Sequence, residues 1–88
     1  MLDDRSILIT GGTGSFGRAL VKEILARHKP RRLVIFSRDE QKQFRMAQDL
    51  PPEVHPALRY FIGDVRDRER LRRAMDGIDF VVHAAAMK

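Results

Sequence analysis

Four short apolar stretches punctuate the chain, and between them the apolar residues change to helical spacing. Ile7-Leu8-Ile9, Leu33 to Phe36, and Ile78 with Phe80, Val81 and Val82 are nearly unbroken, the pattern of strands covered on both faces. Leu58, Tyr60 and Ile62 alternate with Arg59 and Phe61 as a further strand. Phe16, Leu20 and Ile24 recur every four residues, Ala19, Val21 and Leu25 widen the stripe, and Arg18, Lys22 and Glu23 lie off it. This predicts an amphipathic helix from Ser15 to Arg27, ended by Pro30 and carrying basic residues in its last turn as the dipole prefers. Phe44, Ala47 and Leu50 predict a second helix, capped by Asp39 and stopped by Pro51-Pro52. A third, Arg68 to Met75, is capped by Asp67, buries Leu71, Ala74 and Met75, and leaves through a left-handed turn at Gly77. Glu53 to Pro56, with His55, reads as a solvated loop.

The elements therefore alternate as βαβαβαβ, with strands near 6–10, 32–37, 58–62 and 79–84. Such alternation means an α/β fold with a parallel sheet and right-handed crossovers. In the doubly wound arrangement the spatial order is 3-2-1-4, and the first and fourth strands flank the switch point where a ligand sits. At 88 residues the chain makes one small unit, burying only about 60 to 65% of the surface its unfolded form exposes.

The first strand runs into a glycine-rich turn and straight on into the first helix. Glycine stands at 11, 12, 14 and 17 in ILITGGTGSFG. Gly11 suits a left-handed turn, Gly14 has no Cβ to hold off a pyrophosphate, and Gly17 lets the helix lie close to the strand. Free N–H groups and the positive end of the helix dipole then face one point, as an anion requires. Between a strand and a helix, the spacing is that of a dinucleotide fingerprint. A nucleoside-triphosphate loop needs Lys and then Ser or Thr after its last glycine, where this chain has Arg18 and Ala19.

Charge and composition narrow the field. No apolar run approaches the ~18 residues that cross a bilayer, and the acidic start MLDDRS is unlike a signal peptide; both lead to the expectation of a cytoplasmic protein without a membrane partner. The absence of cysteine excludes a disulfide framework and thiolate metal sites. The formal charge of +5 gathers in Arg27 to Arg32 and in Arg66 to Arg73. The second cluster is interleaved with Asp67 and Glu69 and has no aromatic partners within it, so it reads as a solvated helix face and nucleic acid is not expected as a partner.

Candidate chemistry lies where strands end. A dinucleotide fold meets the adenosine ribose after the second strand, where an acid grips the 2′-hydroxyl of NAD and an arginine accommodates the 2′-phosphate of NADP. Here Ser37 and Arg38 come first and Asp39 follows, which points to NADP, with NAD as the alternative. Asp64 can accept a bond from the adenine amino group while Val65 packs on the ring, or Asp64 only caps its turn. Ala84, Ala85 and Ala86 are small enough to let a cofactor lie against the end of the fourth strand. His83 reads as a packed core residue.

Taken together, T-G-G-T-G-S-F-G, S-R-D-E, G-D-V-R-D and H-A-A-A, in this order across essentially the whole chain, resemble the start of an extended short-chain dehydrogenase/reductase. The segments S-F-G, F-S-R-D-E and A-A-M-K are similar to the UDP-N-acetylglucosamine 4,6-dehydratases of surface-polysaccharide biosynthesis, of the inverting, 5-epimerising kind. The resemblance implies a lyase that uses bound NADP as an internal hydride carrier: hydride leaves C4 of the sugar, water is lost across C5 and C6, and hydride returns to C6. It implies that Gly11, Thr13, Gly14, Ser15, Phe16 and Gly17 line the pyrophosphate, Ser37 and Arg38 the 2′-phosphate, Asp64 and Val65 the adenine, and Ala84 to Ala86 the nicotinamide side. It also implies a Tyr-x-x-x-Lys pair and a UDP-sugar domain that these residues do not contain, since Tyr60 is the only tyrosine and Asp64 stands four positions on. The expectation is an N-terminal, NADP-binding part of a Rossmann domain that alone catalyses nothing. Its fourth strand is apolar yet forms an edge, so the 88 residues alone are expected to self-associate through it or to remain only loosely folded. The rival readings are another nucleotide-sugar epimerase or reductase of the same superfamily, and a non-catalytic NADP-binding module.

Overall fold

The strand Ser6–Thr10 (β1) is buried at every position, because it lies between two neighbours in the sheet and between helices on both faces. The computed structural model describes residues 2–84. Helix α1 (Ser15–Arg27), strand β2 (Arg32–Ser37), helix α2 (Glu40–Asp49), strand β3 (Leu58–Ile62), helix α3 (Arg68–Ala74) and strand β4 (Phe80–His83) follow in turn. The sheet order is β3-β2-β1-β4, and every pairing is parallel. This is the Rossmann-type arrangement expected from the alternation, with helix and strand ends displaced by a residue at most. Gly77 leaves α3 at φ 74°, the left-handed exit its position predicts.

Alternate residues of β1 and β2 feed two separate cores. Ile7, Ile9, Leu33 and Ile35 pack with Val21 and Ile24 of α1, Met46 of α2, and Leu58. On the other face Leu8, Val34 and Phe36 pack with Ala74 of α3, assisted by Phe61, Leu71 and Ile78. Phe36 and Phe61 stack with ring centroids 5.7 Å apart.

The faces the helices bury overlap those the spacing predicts but exclude the first large residue of each stripe. In α1, Phe16 is 64% exposed and Ala19 also faces out; Gly17, Val21 and Ile24 are the buried residues. In α2, Phe44 is 66% exposed, and Gln43, Met46 and the following Leu50 point inward. Val21, Ile24 and Leu50 of the predicted stripes are buried and Leu20 and Leu25 pack against the core, so the stripes are right in the main and fail at the phenylalanine that begins each one. A buried glutamine is tolerated because Nε2 of Gln43 donates to the carbonyls of Phe61 (3.0 Å) and Ser37 (3.2 Å) and to Ser37 Oγ (3.0 Å). An unpaired buried amide would cost about 1 to 3 kcal/mol; here it ties the end of β2 to β3. Met75 is likewise exposed, as the cap of α3.

His83 is not a core residue. It is exposed at the sheet edge, and its Nδ1 shares a 2.7 Å hydrogen bond with Oγ1 of the buried Thr10, its register partner on β1. Among the described residues no helix is long and apolar enough to cross a membrane.

Candidate functional site

Because all four strands are parallel, their carboxyl ends share one edge, and backbone hydrogen bonds lace the loops that leave it. Gly11 N–H donates to Phe36 O (2.9 Å), Gly63 N–H to Ser37 O (2.9 Å) and Ala84 N–H to Thr10 O (2.8 Å). The glycine turn, Ser37-Arg38, Asp64-Val65 and Ala84 are thereby gathered along one rim. Ala85 and Ala86 lie outside the described residues.

The turn is built by two different glycine requirements. Gly11 sits at φ 68°, a value that costs an L side chain strain. Gly17 has no room: a Cβ there would lie 2.5 Å from Cα and 2.6 Å from C of Gly12. The close approach is thus between α1 and the turn itself, rather than between α1 and the strand. Gly14 is the opposite case, because a Cβ there would meet nothing nearer than Gly11 O at 3.7 Å, so the space beside it is open.

The start of α1 is electrically prepared for an anion. Gly14 is the N-cap of α1 and provides no side-chain cap, and the first turn holds no acidic residue. The first backbone bond across this end runs from Arg18 N–H to Gly14 O (2.9 Å), so the N–H groups of Ser15, Phe16 and Gly17 have no intrahelical acceptor. Thr13 is buried, Ser15 is exposed, and Phe16 stands out from the helix beside the turn. The exposure that disqualifies Phe16 from the core leaves it free to cover a ligand.

At the ends of β2 and β3 three charged groups meet. Ser37 is buried, and its hydroxyl oxygen accepts from Gln43. The Arg38 side chain is 72% exposed, and its Nη1 lies 3.6 Å from Oδ2 of Asp64. Asp64 is held mainly by Arg66, whose Nη2 donates to Oδ2 (2.8 Å) and whose Nε and backbone N–H donate to Oδ1 (3.1 and 2.9 Å). Sequence reasoning placed Arg66 only within a basic cluster; the signal available was the Asp-x-Arg spacing directly after a strand, which lets the arginine fold back onto the carboxylate. Val65, next to this cluster, is exposed.

Two further groups have other employment. The Tyr60 hydroxyl donates to Leu50 O (2.9 Å), and burial pushes its pKa up to about 12, the reverse of what a proton-transfer catalyst needs. The arginines of α3 are exposed, as a solvated helix face requires, and from that face Arg70 lies 4.4 Å over the Phe61 ring and donates to Ile62 O (2.7 Å).

The hydrogen bonds from the Arg66 side chain and backbone, with the charges of Arg66 and Arg38 adding, hold the Asp64 carboxyl well below the usual carboxylate range against a small opposing effect of burial. A group depressed in the folded state adds stability that is fully present above its unfolded value of 3.8 and is lost as pH falls through the lower folded value. Carboxyl-carbon NMR titration should find Asp64 still ionised where ordinary aspartates have protonated, and Arg66→Ala should return its midpoint toward 3.8. A normal midpoint in the unaltered protein would contradict this geometry.

Known proteins share this arrangement. A sequence profile of the family described as polysaccharide biosynthesis protein matches residues 7–88. The chain is 57% identical, over its full length, to the UDP-N-acetylglucosamine 4,6-dehydratase (inverting) of Campylobacter jejuni subsp. jejuni serotype O:2, of which it covers 25%. It is 44% identical to the UDP-glucose 4-epimerase of Rickettsia akari, again over its full length and covering 26% of that protein. Among solved structures, Pen from Bacillus thuringiensis superposes with a TM-score of 0.89 at 39% identity, over all of this chain and 26% of that one. The chain thus spans about a quarter of the length of the curated relatives it matches.

Proposed function

The chain belongs to the polysaccharide biosynthesis protein family, and from that premise we propose that it is the N-terminal, NADP-binding part of the Rossmann domain of a nucleotide-sugar 4,6-dehydratase. The observation that carries this reading is the convergence of an uncapped helix start, an exposed guanidinium at Arg38 and an exposed Val65 on one rim of the sheet. Identity favours a UDP-N-acetylglucosamine dehydratase of the inverting kind, a lyase, over an epimerase, at 57% against 44%.

The residues present fit a dinucleotide. Gly14 leaves the space beside the turn open, and N–H groups from Ser15 to Gly17 can donate to a pyrophosphate without competition from an acidic side chain. Gly11 and Gly12 shape that cradle, Thr13 supports it from beneath, and Phe16 shields it. Arg38 would hold the 2′-phosphate, with the Ser37 hydroxyl adding a donor, while Asp64 would accept from the adenine amino group and Val65 lie against the ring. Ala84, and Ala85 and Ala86 beyond it, would leave room on the nicotinamide side. Bound NADP would supply the hydride acceptor and donor for chemistry at the sugar. These residues bind and orient; the acid and base that move protons, and the UDP-sugar site, would come from the remaining three quarters of such a protein, since Tyr60 is engaged as a structural donor.

The full-length protein supplied with UDP-N-acetylglucosamine should release a product lighter by one water that carries solvent deuterium at C5 when the reaction is run in heavy water. A product of unchanged mass and inverted C4 would instead assign an epimerase, and cofactor binding without turnover a sensing module. Arg38→Ala should weaken NADP by about tenfold, the loss of one charge-assisted phosphate contact, and leave NAD little changed. Equal losses for both cofactors in calorimetric titration would remove Arg38 from the 2′-phosphate.

The outer edge of β4 supports a last element of this reading. Phe80 and Val81 are 41% and 38% exposed, and among the described residues only β1 pairs with this strand. An apolar edge without charge or proline templates further pairing, so the 88 residues alone should self-associate. Sedimentation at high micromolar concentration should show species heavier than a monomer; a sharp monomer with Phe80 to His83 amides as protected as those of Ile7 to Ile9 would count against it.

A further inference from the structure

The three charges at the ends of β2 and β3 are not equivalent, and the asymmetry has a use. Asp64 accepts the backbone N–H of Arg66, two residues on, in the turn an aspartate favours after a strand. The same arginine then folds its side chain back, so that Nε and Nη2 bind the two carboxylate oxygens as a fork. A carboxylate offers about four acceptor positions, and Arg66 occupies three of them. Arg38 stands 3.6 Å away, close enough for attraction and too far for a hydrogen bond. Both guanidinium groups are largely exposed, at 72% for Arg38 and 78% for Arg66, whereas Asp64 is at 28%.

Without the fork, two in-plane positions on Asp64 would open, and Arg38 is the nearest other cation. Its flexible stem would need only a small rotation to close from an ion-pair distance to a bidentate contact. Its donors would then be turned inward onto Asp64 and away from any phosphate. A charge that attracts Arg38 toward the rim is useful there, but a charge that captures it is not, and Arg66 decides between the two.

We propose that Arg66 is a specificity-determining positioning residue: by occupying both oxygens of Asp64 it keeps the Arg38 guanidinium free for the 2′-phosphate of a dinucleotide. This rests on the reading of Arg38 given above and deepens it. Arg66 acts through Asp64 and needs no contact with the ligand, so its removal changes the preference between cofactors rather than the capacity to bind either.

The test is the ratio of NAD to NADP dissociation constants for the full-length protein at low ionic strength, where exposed charges are least screened. Arg66→Ala should lower the preference for NADP about threefold, the scale of one exposed ion pair. Arg66→Lys, which keeps the charge and loses the fork, should lower it nearly as far. Adding Asp64→Asn to Arg66→Ala removes the captor and should restore most of the preference, while any loss of adenine contact cancels in the ratio. The inference is overturned if Arg66→Ala leaves the ratio unchanged, if Arg66→Lys retains the full preference, or if the double variant shows no recovery, which would mean that Arg66 meets the phosphate itself. Arg38→Ala, measured alongside, separates the two levels. If it leaves the ratio unchanged, the underlying assignment of Arg38 fails; if it lowers the ratio while Arg66→Ala does not, only the role of Arg66 fails.

Discussion

The contact on which the rest of the molecule depends is the one between Gly17 and Gly12. Helix and turn meet so closely that a single added carbon at 17 would fall 2.5 Å from the Gly12 backbone, and Gly12 is itself pressed against the side chain of Ile35, where an added Cβ would lie 2.9 Å from Cγ2. Helix and turn thus meet backbone to backbone, and the turn rests directly on the Ile35 side chain of the neighbouring strand. This lets α1 begin immediately after β1, with its N–H groups aimed at the rim and Val21 and Ile24 lying over Ile9 and Ile35. Any side chain at 17 would have to lift the helix, and with it both the core beneath and the anion-attracting end above.

From that stack outward, order declines toward the rim. The centre of β1 and β2 is dry, with Leu8, Ile9, Leu33, Ile35 and Phe36 fully covered, and each such side chain contributes about 1.5 to 3 kcal/mol by leaving water. Gln43 carries the order to the end of β2 through its bonds to Ser37 and Phe61. Beyond Ser37 the groups are charged and exposed, and they are positioned by one another: Arg66 on Asp64, Asp64 near Arg38. A rim held by ion pairs over a rigid floor can exchange partners when a ligand arrives, which a rim held by packing could not do without disturbing the sheet.

The misread residues share one cause. Phe16 and Phe44 are the largest apolar side chains of their helices and both face outward; hydrophobic spacing weighs them most and therefore counts them in each predicted stripe. The apolar neighbours of His83 predict a core position, yet it stands on the sheet edge with Thr10 as its partner among the described residues. A one-dimensional pattern records what a residue prefers, not which side of its element the packing covers.

The sequence by itself determined the alternation of strands and helices, the parallel order, the glycine turn and the line of candidate residues at strand ends, because these follow from local periodicity, from the stereochemistry of glycine and from the handedness of crossovers. Only the tertiary structure decided that Phe16 and Phe44 lie off the buried faces of their helices, that Gly17 is required by Gly12 rather than by the strand, and that the Arg66 side chain folds back onto Asp64. Those outcomes depend on distances between segments far apart along the chain or on the fold-back of a side chain, which the spacing of residue types can suggest but does not fix. Helix α1 turns on its axis until its smallest residue meets the turn, and the large apolar side chain beside that residue is carried out to the rim.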